Sequence, residues 1–133
     1  MEFTLLMDRT KCWLNTSLQV LTVAPALRSF IIHKRRDAAD ILEFLFSIHV
    51  NLRELTLAFC YLGKDSTGLL ANVKDRYPDL EVLSLEGSCP LTSDGYDLIP
   101  HLKKLSELKL PVCKVDYIYM KPLETHVCIR EHM

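Results

Sequence analysis

Three segments of this chain carry one spelling. Leu52-Arg-Glu-Leu55-Thr-Leu57-Ala-Phe-Cys60, Leu80-Glu-Val-Leu83-Ser-Leu85 followed by Cys89, and Leu105-Ser-Glu-Leu108-Lys-Leu110-Pro-Val-Cys113 each read LxxLxL with a cysteine three or four residues on. A fourth copy, Leu27-Arg-Ser-Phe30-Ile-Ile32, puts Phe and Ile where the later leucines stand. The opening leucines, Leu27, Leu52, Leu80 and Leu105, step by 25, 28 and 25 residues. A half copy, Phe3-Thr-Leu5, lies 27 residues ahead of Phe30-Ile-Ile32. With 24 leucines in 133 residues, chance gives roughly one such hexamer rather than three in phase. A unit repeated at this period buries its apolar side only by stacking on its neighbours. The chain is therefore expected to build an array that presents a surface, rather than an isolated catalytic pocket.

Each LxxLxL reads as a short strand, because inward and outward residues alternate with period 2. Between the strands lie helical patterns. Ile41, Leu42, Leu45 and Ile48 mark a helix over 38–48, and Leu69, Leu70 and Val73 mark one over 66–76, with Pro78 just past its end. Leu98, Ile99 and Leu102 mark one over 94–102. Leu14, Leu18, Leu21 and Ala24 make an earlier helix stopped by Pro25, and a last helix is expected from about Tyr117 to Arg130. Strand and helix thus alternate, but no glycine-rich phosphate loop is present, which argues against a nucleotide-binding sheet.

The residues after the second phased cysteine are more specific. Cys89-Pro-Leu91-Thr-Ser-Asp94-Gly95-Tyr-Asp-Leu98-Ile-Pro-His-Leu102 resembles the cysteine-containing leucine-rich repeats of F-box proteins, and Cys60-Tyr-Leu62-Gly-Lys-Asp-Ser-Thr-Gly68-Leu69-Leu70 is a looser version. The chain is similar too to the ribonuclease-inhibitor type of repeat, which alternates strand and helix. The resemblance covers residues 27–115, and the unit 27–51 departs from it, with Arg35 where the cysteine is expected. It implies an α/β leucine-rich-repeat solenoid: a horseshoe with parallel strands on the concave face and helices on the convex face. The expected organisation is a single domain over 1–133, with a half repeat at 1–26 and repeats at 27–51, 52–79, 80–104 and 105–133.

Composition narrows the setting. Hydrophobic residues make up 49% of the chain, enough for a core, and the formal net charge of −1 gives no basic field for nucleic acid. No apolar run approaches membrane-spanning length. The start, Met-Glu-Phe-Thr-Leu-Leu-Met-Asp, is too short and acidic for a signal peptide, and an odd count of five cysteines suits a reducing compartment. An intracellular protein is expected, cytoplasmic or nuclear. In the sequon Asn15-Thr-Ser17, Thr16 or Ser17 is expected to cap a helix start.

Several constellations invite chemistry. Cys60, Cys89 and Cys113 fall at one point of three repeats, without the close CxxC spacing of zinc sites. They read as buried thiols at the strand-to-loop bend, bonded to nearby backbone, and the family resemblance implies the same. Asp8 is placed at the equivalent point of the half repeat. His126, Cys128 and His132 crowd the C-terminus, and on a helix Cys128 and His132 would share a metal; a polar tail is the plainer reading, and no metal or cofactor is assigned. Lys34-Arg35-Arg36 reads as a solvated loop, with a nuclear signal or phosphate contact as the alternative. Glu54 and Glu107 recur at one strand position without a nucleophile in phase, so the chain is read as no enzyme.

The outward strand positions remain as candidates for binding. The columns are Glu2, Ser29, Glu54, Val82 and Glu107; Thr4, Ile31, Thr56, Ser84 and Lys109; and Leu6, His33, Ala58, Glu86 and Pro111. The expected partner-binding patch centres on Glu54, Thr56, Ala58, Ser84, Glu86, Glu107 and Lys109, and the ligand class is a protein. The resemblance implies substrate recognition within a ubiquitin ligase, and no F-box is expected ahead of the repeats. The alternatives are an inhibitor or regulatory binder of an enzyme, and a truncated repeat fragment without activity of its own. Phe3, Leu5 and Leu6 start a strand with nothing ahead of it, so self-association through that end is expected.

Overall fold

The computed structural model describes residues 3–8, 10–62, 66–86, 98–111 and 128–132. Among the described residues six strands form, the first five where apolar residues alternate: β1 (Phe3–Met7), β2 (Leu27–His33), β3 (Glu54–Ala58), β4 (Val82–Ser84), β5 (Glu107–Pro111) and β6 (Cys128–His132). They make one sheet in the order β1-β2-β3-β4-β5-β6, and every pairing is parallel. The molecule is therefore an α/β protein in which each strand pairs only with its neighbours in sequence.

The register follows the repeat phase. Phe30 stands opposite Leu55, Leu55 opposite Leu83, and Leu83 opposite Leu108. All four side chains are fully buried. Leu27, Leu52, Leu80 and Leu105, the first leucine of each copy, are buried as well. Just outside this apolar stack, polar ties join successive units. The Asn51 amide and the Lys104 ammonium both donate to the Asp79 carboxylate, at 3.2 and 2.7 Å, and hold that carboxyl below its ordinary range.

Helices cover the inward face. α1 (Trp13–Val23) gives way to a single 3-10 turn, Ala24–Ala26, that holds Pro25. α2 (Ala38–Ser47) buries Ala38, Ile41, Leu42 and Leu45, the spacing of one helical stripe. α3 (Ser66–Arg76) buries Leu70 and Val73 and places Lys74 and Arg76 in its last turn, where cations favour the helix dipole. In a sheet whose strands follow chain order, right-handed crossovers keep the helices on one side. Accordingly, the inward residues of β1–β5 and the buried residues of α1–α3 form one apolar cluster. Trp13 meets Phe44 edge-on at 5.3 Å between ring centroids, and Phe46 meets Tyr77 at 5.9 Å. No helix among the described residues is long and apolar enough to cross a membrane.

The structure corrects four readings of the sequence. First, β1 is offset by two residues from the expected half repeat. Leu5 and Met7, not Phe3 and Leu5, stand opposite Phe30 and Ile32. Both registers keep the same residues facing inward, so alternation alone does not separate them. Burial does: Met7 is fully buried and Phe3 is exposed. Thr4 therefore joins the Ser29 column and Leu6 the Ile31 column, and Asp8 does not stand at the cysteine position. Its carboxylate instead accepts from the Thr10 backbone and hydroxyl.

Second, residues 128–132 form a strand, not the end of a helix, so the expected last repeat, 105–133, contains two strands. In a strand, Cys128 and His132 lie about 13 Å apart, too far to share a metal ion. Third, Thr16 does not cap a helix. It sits inside α1 and its hydroxyl donates to the Cys12 carbonyl four residues back, while Cys12, at the N-cap, makes no side-chain bond. Fourth, Ala58 and Ser84 are buried, as described below. Of the expected helix over 94–102, residues 94–97 lie outside the described residues, and Ile99–His101 form a 3-10 turn.

Candidate functional site

The sheet face turned away from the helices holds the predicted columns. One row across the strands reads Thr4, Ser29, Glu54, Val82 and Glu107, and the next reads Leu6, Ile31, Thr56, Ser84 and Lys109. Adjacent strands lie about 4.8 Å apart, so β3, β4 and β5 bring Glu54, Thr56, Ser84, Glu107 and Lys109 into one patch. Glu86 follows β4, and its carbonyl accepts from the Phe59 backbone N–H at 2.8 Å.

Two of the predicted residues form the floor of this face rather than its surface. Ala58 is 6% exposed and Ser84 is 3% exposed. Both are small, and Ser84 is in register between Thr56 and Lys109. The Ser84 hydroxyl is buried and finds no hydrogen-bond partner. Glu54 is exposed, with the Ser29 hydroxyl donating to its carboxylate at 3.4 Å; Thr56, Glu86, Glu107 and Lys109 are half-buried. Glu54 and Glu107 are two strands apart with Val82 between them, so their backbones are separated by about 10 Å.

At the N-terminal ends of β1–β3 the face deepens into a cavity of about 170 Å³ lined by Thr4, Arg28, Ser29, Arg53, Glu54 and Glu81. Arg28 and Arg53 stand at one point of successive repeats, directly after the first leucine, and the Arg53 N–H donates to the Arg28 carbonyl at 2.8 Å. This phase was readable in the sequence, although the predicted patch did not include it.

The C-terminal ends of the strands carry a second feature that the predicted patch omits. Among the described residues, two non-glycine residues have positive φ: Lys34 at 55° and Phe59 at 54°. They are equivalent residues of successive repeats, each two past the second core position. The Lys34 N–H donates to the Ala58 carbonyl at 2.9 Å, and the Phe59 N–H to Glu86, so each passes its hydrogen bond to the next strand. For a bulky side chain this left-handed conformation costs about 1–2 kcal/mol.

Next along, Cys60 turns inward, as its repeat position predicted. Its thiol lies 3.3 Å from the carbonyls of Ile32 and Ala58, and burial pushes its pKa up. Cys89 and Cys113 lie outside the described residues. Arg35, in the same phase as Cys60, also turns inward. Its guanidinium makes two bonds to Asp37, at 2.8 and 2.7 Å, and reaches the carbonyls of Asp8 and Lys11. A polar fork thus fills, in one unit, the place a thiol fills in the next. The pair holds the Asp37 carboxyl below its usual range and raises Arg35 further.

No group of three or more His, Cys, Asp or Glu side chains among the described residues is placed to hold a metal ion. No protein-family model matches this chain, and no curated protein or solved structure matches it at significance.

Proposed function

We propose that this chain is a non-catalytic protein-interaction module built as a leucine-rich-repeat solenoid, with the outward strand face as its concave binding surface. The observation that carries this reading is the register. Residues 25 or 28 apart in sequence lie side by side from β2 to β5, and the repeat phase sets both the buried leucines and the outward columns. Stacked units of this kind create an extended surface without a deep pocket. The floor of small side chains leaves room for a partner, and Glu54, Glu86 and Glu107, set beside Lys109, Arg28 and Arg53, give the face a mixed charge pattern that a partner must match. Such charges act on association rate and specificity more than on raw affinity. The resemblance to F-box-type repeats supports substrate recognition within a ubiquitin ligase as the setting.

The test is affinity capture with three forms of the protein. Reversing Glu54, Glu86 and Glu107 together to Lys should abolish capture of the partner while circular dichroism stays unchanged. Asp75→Lys on α3, where the side chain is largely exposed, should leave capture intact. Co-purification of ubiquitin-ligase subunits supports the recognition role; a single stoichiometric enzyme supports a regulatory binder instead. Loss of capture by the α3 variant alone overturns the concave-face reading.

A further inference from the structure

Two loops stack at the exit rim of β2 and β3, and they present equivalent residues in step. Lys34, Arg35 and Arg36 correspond to Phe59, Cys60 and Tyr61, each pair separated by one repeat of 25 residues. The Lys34 N–H donates to the Ala58 carbonyl and the Tyr61 N–H to the Arg35 carbonyl, at 2.9 and 3.0 Å, which fixes one loop against the other. The middle residue of each triplet turns inward: Arg35 to Asp37, Cys60 to the backbone of β2 and β3. The outer residues of both triplets are left on the surface, so Lys34 and Arg36 lie beside Phe59 and Tyr61. All four are exposed, Phe59 at 50% and Tyr61 at 54%.

The aromatic half is not explained by folding. Phe59 holds the left-handed backbone that glycine adopts without strain. In the next repeat the chain does place a glycine, Gly87, at this sequence position. A glycine at 59 would satisfy the same turn, and the core would lose only the sheltered half of the ring. The ring also meets His33 edge-on at 6.0 Å, which orients it above the strand end. A strained backbone that keeps a large apolar side chain in water points to a ligand outside the chain.

We propose that this rim docks a short acidic peptide segment of a partner protein. Lys34 and Arg36 receive its carboxylates, and Phe59 and Tyr61 receive an apolar or aromatic side chain between them. The cations here stand at the exit ends of the strands, away from the mixed charges of the strand face, so the two surfaces select different parts of a partner. A peptide fits better than a nucleic-acid strand. The chain carries a net charge of −1, and the carboxylates of Asp8 and Glu86 belong to residues bordering the rim. Together these disfavour a polyanion but tolerate one or two carboxylates.

The experiment is fluorescence anisotropy at low salt with a fluorescein-labelled peptide of alternating glutamate and phenylalanine. Its companions are one peptide with serine for phenylalanine, one with lysine for glutamate, and a labelled thymidine oligonucleotide. The first peptide should saturate the protein and the other three should not. Phe59→Gly should weaken binding about ten-fold or more, as loss of an aromatic anchor does, while circular dichroism shows the fold retained. Lys34→Glu with Arg36→Glu should abolish binding, and reversing Glu54 and Glu107 together to Lys on the strand face should leave it intact. Binding of the oligonucleotide but not the peptide overturns the proposal, as does unchanged binding by Phe59→Gly.

Discussion

Leu83→Ala is the most direct test of how the units hold together. Leu83 is fully buried at the middle of the sheet, with Leu55 and Leu108, also fully buried, opposite it on either side. The substitution removes three carbons, worth about 2.4 kcal/mol at roughly 0.8 kcal/mol per methylene. With strands on both sides and helices above, the void cannot collapse, and the cavity term of about 24 cal/mol per Å³ brings the loss to about 3.5–4.5 kcal/mol. For a urea slope near 2 kcal/mol/M, the unfolding midpoint should fall by about 2 M. Leu5→Ala, on the edge strand β1 with a pairing neighbour on one side among the described residues, should fall by only about half as much. Leu18→Ala, on the exposed side of α1, should move the midpoint by less than about 0.3 M. Urea melts followed by circular dichroism read all three. A Leu83→Ala midpoint within error of Leu18→Ala would refute the stacked-core reasoning.

Three further outcomes are expected. The Tyr77 hydroxyl is buried without a partner, and burial raises its pKa far above the ordinary range. Tyr77→Phe should therefore leave stability unchanged or raise it by up to about 1 kcal/mol, and a loss larger than that in urea melts would mean the hydroxyl is satisfied. Iodoacetamide should label exposed Cys12 in the native protein and spare Cys60, whose thiolate burial suppresses; equal labelling rates by peptide mapping would contradict its packed role. Because Arg35 lowers the Asp37 pKa below 3.8, this pair's contribution is complete above that value and is lost as the pH falls through the lower folded-state pKa. The stability gap between wild type and Asp37→Asn should thus narrow below about pH 4, and a gap constant across the acid range would show that the ion pair contributes nothing.

The register from β2 to β5 was legible because each strand carries two inward apolar residues behind a third leucine, and only one alignment puts all three in phase. β1 was legible in type but not in register, since Leu5 pairs with inward neighbours at either offset. The last strand was hidden because Val127, Cys128 and Ile129 offer too short an apolar run to show a period, and Pro122 is compatible with a helix beginning just there. The outward columns were readable from alternation, but burial of Ala58 and Ser84 was not. It depends on the size of side chains on neighbouring strands, and so on register as well as identity. The aromatic rim escaped notice for a different reason. A positive φ at Phe59 is a backbone property, and the sequence marks it only through alignment with Gly87.

The strictly consecutive strand order bears on how the chain reaches this structure. The partners Leu5 and Phe30, Phe30 and Leu55, Leu55 and Leu83, Leu83 and Leu108, and Leu108 and Ile129 are separated by 25, 25, 28, 25 and 21 residues. No pairing has to wait for distant ends of the polypeptide to meet, so each closure faces a similar, modest entropic barrier. Growth from any adjacent pair then proceeds like a zipper, in either direction. Such a molecule emerging from the ribosome has a template for each strand as soon as that strand appears. If the units stack as proposed, removal of a terminal one should yield a shorter protein of the same kind, with a narrower face, rather than an unfolded remnant.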